Sequence, residues 1–96
     1  MSFLIAFGSL ALAALETLVH LGNAAIDLKF VAFRITIPES LTIEATPVRA
    51  LPRRWRNQPP LPDTMEIGTR WTDAGRTVCL RVPSVIVPRE SNFLLN

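Results

Sequence analysis

The sequence predicts a small α+β domain built around a mixed sheet, and three observations carry that reading. Leu10 to Leu21 is a run of strong helix formers. Phe33, Ile35 and Ile37 alternate with Arg34 and Thr36, the period of a half-buried strand. Thr77 to Val82 is a second β-rich segment, closed by Pro83-Ser84. With 96 residues there is room for one domain and a modest core. A chain that is 49% hydrophobic and 19% charged is not disordered, because disordered chains are poor in apolar residues.

The stretch Phe3 to Leu15 is almost wholly apolar. A membrane-spanning helix needs about 20 such residues, and this run is broken by Glu16 and His20. A secretory signal begins with Lys or Arg, and none precedes Lys29. A helix buried on all sides accounts better for the same residues. Ser9 is placed to cap it, and Gly22-Asn23 to end it. Glu16 and His20, four apart, share one face. A carboxylate among apolar neighbours is costly unless it is paired or opens into a cleft.

Leu28 to Ile37 reads as a strand ended by Pro38, and Leu41 to Glu44 as a shorter one. From Pro47 to Pro62 five prolines and Arg49, Arg53, Arg54 and Arg56 mark an irregular loop, which Trp55 is expected to pin to the body of the domain. Asp63 or Thr64 is expected to cap a short helix reaching about Trp71, with Asp73-Ala74-Gly75 as a turn. After Thr77 to Val82, Val85 to Pro88 is expected to continue extended.

The net charge of +2 is small, and the arginine cluster reads as a solvated loop, since a nucleic-acid surface needs more charge on a defined face. Cys79 is the only cysteine, so no internal disulfide or cysteine-rich zinc site forms, which suits a reducing cytosol. Set between Val78 and Leu80, it reads as a buried, inert thiol. His20 has no metal-ligand companion and reads as structural; no metal is expected.

Several segments, taken in order, resemble one family. Leu10-Ala11-Leu12-Ala13-Ala14-Leu15-Glu16-Thr17-Leu18-Val19-His20-Leu21 resembles the helix of RES domains, and Phe33-Arg34-Ile35-Thr36-Ile37-Pro38 their strand ending in Ile-Pro. Leu51-Pro52 with Trp55, and Ile67-Gly68 with Trp71, resemble the loop and second helix. Leu80-Arg81-Val82-Pro83-Ser84, followed by Val87-Pro88, Glu90, Asn92 and Leu94-Leu95-Asn96, completes the pattern. The resemblance runs from about Ile5 to Asn96, so residues 1–96 are expected to be a partial RES domain, its middle and C-terminal portion.

The resemblance implies a fold similar to ADP-ribosyltransferases and the activity of a bacterial type II toxin that degrades NAD by hydrolysis or phosphorolysis. NAD is then substrate, and no cofactor is implied. It also implies a cytoplasmic location and a helix-turn-helix antitoxin of the Xre type as partner, without direct nucleic-acid or membrane binding, and leaves self-association open. By position, Glu16 and Ser84 match the family's Glu and Ser and are the candidate catalytic and substrate-binding residues, with His20 and Asn92 as structural residues near the site. Asn92 is expected to tie down backbone. The family's Arg, and tyrosines that help form its pocket, belong to a segment ahead of this match, and this chain has no Tyr. Phe7 stands near a position where the family often has Tyr, and Thr69 where it often has Asp. The family commonly continues past Asn96 with Pro and then His-Pro, so both ends look cut.

Breaking the nicotinamide–ribose bond passes through a transition state of oxocarbenium character, as glycoside hydrolysis does. A carboxylate fixed on a rigid helix stabilises that charge, and a serine hydroxyl can hold the carboxylate or the ribose. An arginine fork clamps the pyrophosphate. Arg34 and Arg81 lie on predicted strands that give no reason to expect them there. The chain by itself is therefore expected to be inactive, and the alternative is a non-catalytic remnant that binds the antitoxin.

Overall fold

The computed structural model describes residues 4–96. Phe3, at the head of the apolar run, lies outside the described residues, as do Met1 and Ser2. The described residues form an α+β fold of two α-helices and a four-stranded mixed sheet. Strand β1 is Leu4–Phe7 and helix α1 is Leu10–Leu21. Strand β2 is Ile43–Ala45, helix α2 is Pro62–Ala74, and strands β3 and β4 are Cys79–Pro83 and Ser91–Leu95. The order across the sheet is β1-β4-β3-β2. β4 lies antiparallel between β1 and β3, while β2 runs parallel to β3. A parallel pair needs a crossover, and α2 supplies it.

Helix α1 follows its capping signal. Ser9 is extended at φ −151°, its hydroxyl accepts from the Leu12 N–H at 3.1 Å, and Gly22 closes the far end. Gly8 makes the corner between β1 and α1 possible. Its N–H donates to the Ser91 carbonyl at 2.9 Å, and a Cβ there would sit 2.8 Å from that same oxygen.

The all-round burial expected of this helix is corrected. Of α1 only Leu12 is buried, while Leu10, Leu18 and Val19 are exposed. The face carrying Leu12 and Glu16, one turn apart, meets the sheet, and no other described segment covers the opposite face. Ahead of the helix, Leu4–Phe7 is a strand that the apolar run concealed.

The strand expected over Leu28 to Ile37 is also absent. Those residues are irregular and largely exposed, with Phe33 at 85%. The alternation is present but no sheet edge takes it up, and a strand exists only where a ladder satisfies its backbone groups. The shorter strand expected at Leu41 to Glu44 forms at Ile43–Ala45, after a turn in which the Leu41 N–H donates to the Pro38 carbonyl at 3.0 Å.

The proline-rich stretch is irregular, as expected, with a short 3-10 turn at Val48–Ala50. All four of its arginines are exposed and Trp55 is half-buried. Arg56 anchors the loop through Nε to the Val85 carbonyl at 2.8 Å. Helix α2 is longer than expected and is not capped by Asp63 or Thr64. Leu61 is the N-cap and makes no side-chain bond, since leucine carries no acceptor; Pro62 at the first helical position is pre-set for helix entry, and the N–H it lacks is one the helix would leave unpaired. Gly75, left-handed at φ 62°, ends it.

The core is the triad Trp71, Leu80 and Leu94, with Val82 packed against it. Its position follows from the pleat. Leu80 pairs with Leu94 and Val82 with Asn92, so these four share one face of the sheet, and Trp71 of α2 lies on it. The Trp71 indole N–H donates to the Thr77 hydroxyl at 2.9 Å, satisfying its polar edge. Arg76 and Glu44 pair at 2.9 Å across the β2–β3 edge. Among the described residues no helix is long and apolar enough to cross a membrane.

Candidate active site

Ser84 follows β3 directly, and its environment is built by the chain's own turn. Its hydroxyl accepts from the Ile86 N–H at 3.1 Å and the Val87 N–H at 3.0 Å. Its own N–H donates to the Glu90 carbonyl at 2.9 Å, and the Glu90 N–H donates to the Val87 carbonyl at 2.8 Å. This compact serine turn replaces the extended course expected for Val85 to Pro88. A serine oxygen offers two acceptor sites and one proton. With both acceptor sites taken by backbone, the proton is directed to Glu16 Oε2, 2.8 Å away.

Glu16 reaches that proton from α1, across 68 residues of sequence. The same Oε2 accepts from Asn92 Nδ2 at 2.9 Å. Thus α1 delivers the carboxylate, the end of β3 delivers a hydroxyl and β4 delivers an amide, all on the face that also carries the core. Ser84 is fully buried and Asn92 nearly so, at 8% exposure, whereas Glu16 is half-buried. Oε1 of Glu16 makes no hydrogen bond among the described residues, and it is not a buried atom. The arrangement is a carboxylate held by one oxygen and presented by the other.

Three of the four site residues expected from the sequence therefore meet in one cluster. Asn92 gives its side chain to Glu16 rather than to backbone. His20, one turn beyond Glu16, is exposed and makes no hydrogen bond or ion pair among the described residues. Arg81 is exposed and pairs with Phe93 on β4, so by alternation it projects from the opposite face of the sheet to Asn92 and Glu16. Arg34 lies in the unpaired segment. Cys79 is fully buried, and that burial pushes its thiol pKa up, consistent with an inert side chain. Asn92, expected only as a structural residue near the site, is a direct partner of Glu16, a contact the sequence did not show. The signal in the sequence was its place in the family's pattern, which set it near the site without saying what its amide meets.

The RES domain family model matches residues 5–96. A protein named Toxin Res from Yersinia enterocolitica is 41% identical over 88 residues, covering 92% of this chain and 57% of that protein. Another of that name, from Photorhabdus laumondii, is 41% identical over 88 residues, with 92% and 56% covered. A protein named Prs ADP-ribosylating toxin, from a Sphingobium species, is 39% identical over 94 residues, with 95% and 58% covered. The chain thus spans a little over half the length of these relatives. With the Glu–Ser pair in place on the expected fold and the model matching almost end to end, this chain belongs to the RES domain family.

Proposed function

We propose that the Glu16 site belongs to a cytoplasmic toxin that cleaves the nicotinamide–ribose bond of NAD. The observation that carries this reading is the carboxylate of Glu16 clamped through Oε2 while Oε1 stays open. As the bond between ribose C1′ and the nicotinamide nitrogen breaks, its electron pair leaves with nicotinamide and positive charge develops on the sugar. Glu16 Oε1 stabilises that charge and accepts from a ribose hydroxyl. An oxygen of water or phosphate then bonds to C1′, and a water nucleophile releases a proton to solvent. Ser84, with its hydroxyl fully committed, acts through Glu16 as a positioning residue rather than by touching the sugar.

Turnover by the 96-residue chain alone is proposed to be absent. The sequence has no tyrosine, and among the described residues no arginine is hydrogen-bonded to Glu16, Ser84 or Asn92. On this reading the arginine fork that clamps a substrate with two phosphates is not part of this cluster. Calorimetric titration with NAD is expected to show weak binding by the wild-type chain and none by Glu16→Ala. NAD loss above the Glu16→Ala control would contradict the proposed inactivity, and equal binding by the two chains would remove Glu16 from the site.

A second reading is favoured by the exposed apolar surface of α1 and of residues 28–37, including Leu10, Phe30, Val31 and Phe33. Surface of that kind is typical of interaction sites. On this reading the chain binds an antitoxin with a helix-turn-helix domain. Co-purification with such a partner without NAD binding would support it over the first.

A further inference from the structure

We propose that Asn92 is a positioning residue which, with Ser84, selects the oxygen of Glu16 that meets the ligand. The proposal rests on the reading of Glu16 as the group that faces the ribose. Both donors converge on Oε2, Ser84 Oγ at 2.8 Å and Asn92 Nδ2 at 2.9 Å. A carboxylate so held can neither swing about its side-chain bonds nor turn about its terminal bond without losing both hydrogen bonds. One donor would leave that rotation cheap, whereas two, from different strand ends, fix it. Oε1 is thereby the only oxygen free for an incoming hydroxyl.

Asn92 is an expensive way to fill its position if packing alone is wanted. It lies on the face that carries Leu80, Val82 and Leu94, and its Oδ1 is buried without a hydrogen-bond partner among the described residues. A buried acceptor left unpaired opposes folding, and an apolar side chain of similar size would avoid that cost. Nor does the sheet need the amide, since the β1–β4 and β3–β4 ladders are made by backbone groups. A carboxylate oxygen accepts and does not donate, so the nitrogen end of the amide must face Glu16 and the oxygen end is the one stranded. The amide therefore contributes a hydrogen bond to Glu16 at the expense of stability.

The test uses the 96-residue chain and its Asn92→Leu and Asn92→Asp variants, with glutamate isotopically labelled. Three quantities are read: the thermal midpoint, the side-chain rotamer of Glu16 by NMR couplings, and the dissociation constant for NAD. Asn92→Leu is expected to melt at or above the wild-type temperature, to let Glu16 average between rotamers, and to weaken NAD binding roughly tenfold. Asn92→Asp, which sets a second carboxylate against the first, is expected to abolish binding. Should Asn92→Leu fail to fold, Asn92→Ala is read the same way. A folded variant in which Glu16 keeps one rotamer overturns the proposal, whatever its melting point. Wild-type chain that holds Glu16 in one rotamer yet binds no NAD overturns the NAD reading alone, and the rotamers of the variants still decide the role of Asn92.

Discussion

The β3–β4 pair and the segment 28–37 are both rich in apolar residues, yet they end in opposite states. Between Cys79 and Leu95 the chain buries Cys79, Leu80, Ser84, Asn92 and Leu94. Between Leu28 and Ile37 it leaves Leu28, Phe30, Val31, Phe33 and Ile35 exposed. The difference lies in what each segment has to pair with. β3 and β4 register residue for residue against each other and against a strand on either side, and Trp71 closes over them. The other segment has the alternation of a strand but no ladder to join. Apolar periodicity thus states a capacity for burial, and a partner decides whether it is used. The functional residues sit where the partners are.

The largest effect should come from cutting into the paired region. Leu80→Ala is expected to cost about 2–5 kcal/mol, enough to abolish cooperative unfolding in a domain this small, as followed by circular dichroism in urea. A mild loss there would mean that the triad is not the core.

Next in size is Glu16→Ala. It strands the Ser84 proton and the Asn92 amide, and is expected to cost about 1–3 kcal/mol while abolishing NAD binding. Unchanged stability in denaturant would show that the two donors do not depend on the carboxylate.

Cys79 sharpens the comparison through reactivity. Burial raises its pKa in the folded chain, so the folded state holds the thiol proton more tightly than the unfolded state. The stability gained is complete below the ordinary thiol pKa and is lost as pH rises through the raised value. Alkylation is accordingly expected to be slow in native buffer at neutral pH and fast in denaturant. Fast native labelling would place Cys79 outside the buried region.

The smallest effect is expected from Phe33→Ser in the exposed segment, within about 0.5 kcal/mol of wild type by the same urea titration. A substantially larger loss would show that this segment is packed after all and would erase the contrast.

How much of this was legible in the sequence depended on whether a signal was local. Ser9, Gly22 and the helix formers between them defined α1 completely, because capping is settled within one turn. The Pro62 entry into α2 is equally local, but Asp63 and Thr64 beside it carry a competing capping signal. β1, β4 and the absence of a strand at 28–37 were not legible, since pairing joins residues as far apart as Leu4 and Leu95. At the site, Glu16 and Ser84 came from the family's pattern as catalytic candidates, and Asn92 and His20 as structural residues near them. The 2.8 Å contact between Glu16 and Ser84, and the third partner Asn92, needed the fold to bring α1 onto the sheet.

The central claim is that the Glu16–Ser84–Asn92 cluster is where NAD binds, and amide and side-chain NMR during an NAD titration tests it most directly. Shifts concentrated at Glu16, Ser84, Ile86, Val87 and the Asn92 side chain, and lost in Glu16→Ala, are the predicted result. Shifts confined to residues 28–37 or to the outer face of α1, or none at millimolar NAD, would contradict it.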